Sequence, residues 1–193
     1  MKITIYDWST RACLEAAGVE CDCSCLGAHH GQDSDGWFDR TGDVVVADPF
    51  GGEVFFTDGE SAWVRHDGVD AQLVPTSATQ LADVNLDPPF PSAPGFRAVD
   101  LPAHAEFVER FRPRVVSTTL ALAWVAAGKR AAYVTDGGDL SGSVHFAAGI
   151  AVCRAAGCVV TGIDGAPIGQ AGHGLVVAAD AETHGLLMSM IRS

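Results

Sequence analysis

Between Arg114 and Leu187 the chain alternates helix-like and strand-like segments, and two of the helical patterns end at a glycine. The run RVVSTTLALAWVAAGKRAAYV opens with Ser117 and two threonines where an N-cap belongs. It shows an apolar face through Leu120, Trp124 and Val125 and stops at Gly128. After a Gly-rich loop, Ser143 opens a second helix through Phe146, Ile150 and Val152 that stops at Gly157. Strands are expected near 130–134, 158–162 and 174–178, and an amphipathic helix closes the chain from about Ala181. Helices and strands in this order predict a fold built from layers of both.

At 193 residues, one compact domain with two lobes is expected. Residues 1–102 read as a larger lobe with a mostly antiparallel sheet over 2–86, and residues 103–193 as a smaller α/β lobe. Nearly half of the residues are apolar, which excludes a disordered chain. The formal charge of −12 argues against nucleic acid or an anionic membrane surface as a partner. The first strand-like run, ITIY, is broken by Asp7 and is too short for a signal peptide, and no run approaches the ~18 apolar residues of a membrane span. These features predict a cytoplasmic protein.

Along the chain, residues 2–6 read as a strand ending at Asp7-Trp8-Ser9-Thr10. Residues 11–17 read as a short helix stopped by Gly18, and 20–27 as a second strand. Cys21, Cys23 and Cys25 alternate there, so all three point to one face. With His29 and His30 nearby they invite a zinc reading, but the C-x₂-C spacing of zinc sites is missing. Small buried hydrophobes on a sheet face are the reading adopted. Residues 43–57 predict a hairpin turning at Gly51-Gly52. The prolines at 88, 89, 91, 94 and 102 mark 87–102 as a loop or extended linker, and 103–112 reads as an amphipathic helix with Phe107, Val108 and Phe111 on one face. The DGGD run, Asp136 to Asp139, reads as a solvated turn.

Several of these segments resemble the inositol monophosphatase-like phosphatases. Ser117, Leu120, Ala123, Val125 and Gly128 keep that family's Gly-Ser-Ala-Ala-Leu-Asp-Leu-Ala helix and its Val-Ala-x-Gly end. Ala147, Ala148, Gly149, Ala156, Gly157, Val160, Thr161 and Gly165 keep its Trp-Asp-x-Ala-Ala-Gly helix and the strand that follows. Upstream, Val44 to Pro49 and Glu53 to Thr57 are similar to its paired Gly-Val-Val-Tyr-Asp-Pro and Glu-Leu-Phe-x-Ala strands, which implies that Asp48 is a turn former and not a ligand. The resemblance covers roughly residues 40–190 and implies an α/β layered fold, an α+β sandwich, like that of the family without its N-terminal helices. It implies that two opening helices and a Glu-Glu metal motif of the family are missing here.

The departures bear on chemistry. The resemblance sets His145 where the family has a metal-binding Asp, Val144 where it has Trp, Val116 for a Gly and Ala121 for an Asp. Its Asp-Pro-Ile-Asp-Gly-Thr motif aligns with Tyr6 to Ser9, putting Asp7 at the second Asp and Thr4 at the first; any strand-to-turn boundary with Asp and Ser looks much the same. Magnesium prefers hard oxygen ligands, for which neutral imidazole is a poor replacement. The resemblance therefore implies no metal site of the usual kind, and no cofactor is expected.

The substitution leaves a His-Asp couple, His145 with Asp7, as candidate acid and base in the old catalytic cleft, with Ser9, Thr10, Ser117, Thr118 and Ser143 as candidate substrate-binding neighbours. The expected function is a repurposed, metal-independent enzyme acting on a small metabolite by isomerisation, elimination or cyclisation. A magnesium-dependent phosphomonoesterase completed by a partner chain and a non-catalytic binding subunit are the alternatives. Without the opening helices one face of the larger sheet lacks cover, which predicts a homodimer or a separately encoded partner chain on that face.

Overall fold

The computed structural model describes residues 44–86, 95–138, 140, 143–168 and 173–193. The expected strands at 2–6 and 20–27 and the three alternating cysteines lie outside these residues. The first described sheet is an antiparallel meander of β1 (Val44–Asp48), β2 (Glu53–Thr57), β3 (Ala62–His66) and β4 (Val69–Gln72). The predicted hairpin is present. Asp48 shapes its turn by accepting from the Phe50 and Gly51 amides at 3.0 and 2.9 Å, and Gly52 takes φ +67°. Asp67 and Gly68 both have positive φ, the backbone that a two-residue turn between twisted strands requires. The register aligns Val46, Phe55 and Val64 on the inner face, and Val45, Phe56 and Trp63 on the outer.

The second sheet runs β6-β5-β7-β9-β8. Its strands are β5 (Leu81–Asn85), β6 (Arg112–Val115), β7 (Ala132–Thr135), β8 (Val159–Thr161) and β9 (Leu175–Ala178). β5 is parallel to β6 and β7, and β9 is antiparallel to β7 and β8. The helices are α1 (Ala105–Arg110), α2 (Leu120–Ala126), α3 (Val144–Ala156) and α4 (Ala181–Arg192), with a 3-10 turn over Ala98–Ala103.

Two cores order these elements into layers. Phe55 and Ala62 of the first sheet, Leu122 and Val125 of α2, Val152 and Cys153 of α3, and Tyr133, Leu175 and Val177 of the second sheet form one. Val84, Val134 and Val176 pack on the other side of the second sheet against Leu101, Phe107, Leu187 and Met188. The stack is therefore first sheet, α2 and α3, second sheet, then the 3-10 turn with α1 and α4. All four residues of β7 and of β9 are buried, as strands covered on both faces must be. At the open edge, β6 carries exposed Arg112 and Arg114 around Pro113, which removes a donor and discourages pairing with another chain.

Two expectations need correction. Residues 81–85, assigned to the antiparallel sheet of the first lobe, sit inside the second sheet. Ala82 and Val84 supply one of its faces and Asp83 and Asn85 are buried on the other, so the segment needs cover on both sides. The helix expected over 103–112 is confined to α1. Arg112 precedes a proline, which disfavours helical backbone, and the chain turns there into β6 with Val108 49% exposed.

Candidate functional site

The parallel strands β6, β5 and β7 all end at one edge of the second sheet. The chain passes from the end of β6 through Ser117 and Thr118 into α2, and from the end of β7 through Ser143 into α3. Open α/β sheets offer ligands this edge, where strand ends and helix starts meet. Ser117 is exposed, while Thr118 and Ser143 are half-buried. The Thr118 hydroxyl accepts from the Leu120 amide at 3.3 Å. Ser143 is the N-cap of α3 but makes no side-chain capping bond, so its hydroxyl is not committed to the helix end. His145 is exposed in the first turn of α3. The topology thus gathers four of the seven candidate residues at one sheet edge; Asp7, Ser9 and Thr10 lie outside the described residues.

The same edge holds a buried polar group that the sequence did not single out. Asn85 Nδ2 donates to Thr135 Oγ1 at 3.4 Å, and the Gly137 amide donates to the same oxygen at 3.3 Å. Arg97 Nε donates to Asp136 Oδ2. Asp136 opens the DGGD run, but its side chain is 1% exposed, not a solvated turn residue, and its Oδ1 is buried without a hydrogen-bond partner. Arg97 is 39 residues away and follows a proline-rich tract, so no local pattern announces the pair. Gly174 closes this end of the sheet: its amide donates to the Gly137 carbonyl at 2.6 Å, and a Cβ there would stand 2.4 Å from the Thr135 oxygen. A cavity of about 370 Å³ lies elsewhere, lined by Phe96, Leu101, His104 and Met190 among others, and includes none of the candidate residues.

With this geometry in place, residues 44–193 match the model of the inositol monophosphatase family. The chain belongs to that family. Among solved structures it is similar to Mycobacterium tuberculosis SuhB at 24% identity and a TM-score of 0.59, covering 78% of this chain and 58% of that one. It is also similar to the IMPase of Thermotoga maritima at 14% identity and a TM-score of 0.50, covering 73% of this chain and 56% of that one. At these identities the likeness is one of fold, and the chain spans well under two thirds of either structure. No curated protein sequence matches it.

Membership in the inositol monophosphatase family raises the question of magnesium. Among the described residues no group of three or more His, Cys, Asp or Glu side chains stands close enough to hold a metal ion. Asp136 is committed to Arg97, and Asp83 accepts from Arg130 Nε at 2.9 and 3.0 Å. An exposed imidazole at the start of α3 supplies nitrogen where magnesium takes oxygen. The described residues do not make up a magnesium site. No helix among them is long and apolar enough to cross a membrane.

Proposed function

We propose that this member of the inositol monophosphatase family acts on a small metabolite at the strand-end edge by moving protons through His145, without magnesium. The observation that carries the reading is the position of His145, exposed in the first turn of α3 beside Ser143, whose hydroxyl has no capping bond. A neutral imidazole accepts a proton from a substrate carbon or hydroxyl and returns it to a neighbouring atom, the chemistry of an isomerase, lyase or cyclase. Ser117, Thr118 and Ser143 supply hydroxyls to orient the substrate. The reading assigns to Asp7, outside the described residues, the role of carboxylate partner to the imidazole.

The reading takes the protein as cytoplasmic. It takes a homodimer, or a separately encoded partner chain, as the cover for the outer face of the first sheet, where Val45, Phe56 and Trp63 keep part of their surface. The family match favours a second reading, magnesium-dependent phosphomonoester hydrolysis, with a partner chain taken to supply the ligands that the described residues lack. A phosphomonoester assay with and without magnesium separates the two. The first predicts no metal-dependent turnover and, once a substrate is found by metabolite screening, loss of activity in His145→Ala with an unchanged melting temperature. Phosphate release that rises with magnesium and survives His145→Ala overturns it. A chain that binds metabolites and turns none over is a binding subunit.

A further inference from the structure

Helix α3 ends in a Schellman turn. Gly157 takes φ +90°, the Cys158 amide donates to the Cys153 carbonyl at 2.9 Å, and the Gly157 amide donates to the Arg154 carbonyl at 3.1 Å. Such a turn folds the residue after the glycine back onto the side chain five positions earlier. Here both positions are cysteines. Cys153 is 0% and Cys158 9% exposed, and both belong to the core around α2 and α3. Both are free, and the Cys153 thiol also donates to the Leu122 carbonyl of α2 at 3.1 Å.

We propose that Cys153 and Cys158 form a modification site, which a hydroperoxide converts into an intrachain disulfide tying the end of α3 to the start of β8. With standard backbone dimensions, the 2.9 Å backbone bond between the two residues holds their Cα atoms within roughly 7 Å, the reach of a disulfide. Cys158 keeps the little accessible surface of the pair and meets the oxidant first. Its sulfur attacks the peroxide O–O bond, becomes a sulfenic acid and releases an alcohol, or water from hydrogen peroxide. The Cys153 sulfur then displaces the sulfenic oxygen, which leaves as water. In sum, two thiols and one hydroperoxide give one disulfide, one alcohol and one water, with two electrons passing from the sulfurs to the peroxide bond. Burial holds the Cys153 thiol well above its ordinary pKa, so it does not compete for the oxidant and is kept for the second step. The first step is slow, because it waits for the turn at Gly157 to open.

Oxidation withdraws the Cys153 hydrogen from Leu122 and so removes one of the ties between α3 and α2. It acts on the helix that carries His145 at its other end, but the inference does not depend on what His145 does. The sequence supplies its own readout, because Arg154 lies between the two cysteines. The full chain is treated with hydrogen peroxide under native conditions, its remaining thiols are alkylated, and it is digested with trypsin without reductant. The expected product is peptide 131–154 joined to peptide 155–192, 2 Da lighter than the two thiol peptides together and separated by reductant. Cys158→Ser should abolish the link, and the mapping of the unsubstituted chain stands whether or not that variant folds. The proposal is overturned if both residues remain alkylatable while other cysteines of the chain oxidise. It is equally overturned if Cys158 goes to sulfinic acid without a link, if it pairs with a different cysteine, or if the link forms only in urea.

Discussion

Gly149 of α3 lies against Leu122 of α2 so closely that a Cβ on it would stand 2.9 Å from both Cβ and Cδ2 of Leu122. Leu122 is fully buried between the sheets and cannot swing aside into solvent. Gly149→Ala should cost about 1–3 kcal/mol by overpacking. In urea the midpoint should fall with the slope unchanged, and adding Leu122→Ala should cost less in the Gly149→Ala background than alone. A fully additive pair would show that the two side chains do not compete for space.

Asp83 is fully buried on β5 and takes its partner from the chain just before β7, with the Arg130 guanidinium lying 5.0 Å from the Trp124 ring. Burial raises the Asp83 carboxyl above its ordinary value, and Arg130 opposes the rise. Arg130→Met leaves the carboxylate buried and uncompensated, at a cost of about 3–5 kcal/mol. A raised folded-state value means that the folded chain keeps this proton longer than the unfolded one, so the contribution falls as pH rises from 3.8 through that value. The loss in Arg130→Met should therefore be larger at pH 8 than at pH 4. Chemical denaturation at both pH values tests this.

His184 of α4 donates through Nε2 to Thr161 Oγ1 at 2.8 Å, since that hydroxyl spends its own hydrogen on the Gly162 carbonyl. Burial, and then the charge of Arg192, hold the imidazole below its ordinary 6.5. The unfolded chain therefore takes up this proton first, and stability is lost as pH falls from 6.5 through the folded-state value. The melting temperature should drop between pH 7.5 and 5, and His184→Gln should flatten the drop. Parallel curves for the two proteins would remove His184 from the account.

Asp180 caps α4 by accepting from the Thr183 amide at 2.7 Å, and this bond lowers its carboxyl below the usual range. Asp180→Ala should cost about 0.5–2 kcal/mol, and Asp180→Asn much less. Because the folded value is depressed, the capping contribution is present above pH 3.8 and is lost as pH falls below it, well apart from the His184 window.

Elements written in local pattern were legible in the sequence. The hairpin from Val44 to Thr57 follows from two apolar runs around Pro49 to Gly52, and α3 from its spacing and its Gly157 stop. The place of Leu81–Asn85 was not legible, because five residues of mixed apolar and polar type read the same in an antiparallel meander as in a parallel sheet. Its partners, β6 and β7, lie some 30 to 50 residues downstream. At the strand-end edge, Ser143 was found because it caps a helix start, Ser117 because it lies two residues before the actual N-cap Thr119, and His145 because the resemblance sets it at the family's metal-binding Asp. Arg97 and Asp136 meet only through tertiary packing, and neither sits in a pattern that shows it.

The helical layer ties the fates of the two sheets together. Phe55 and Ala62 close one side of α2 and α3, and Tyr133, Leu175 and Val177 close the other, so neither sheet has a hydrophobic wall of its own there. A nick between Gln72 and Leu81 would cut the chain at the border of the sheets and free neither half. The fragments would be expected to stay together as complementing pieces, and the meander could not be exchanged between proteins as a portable module.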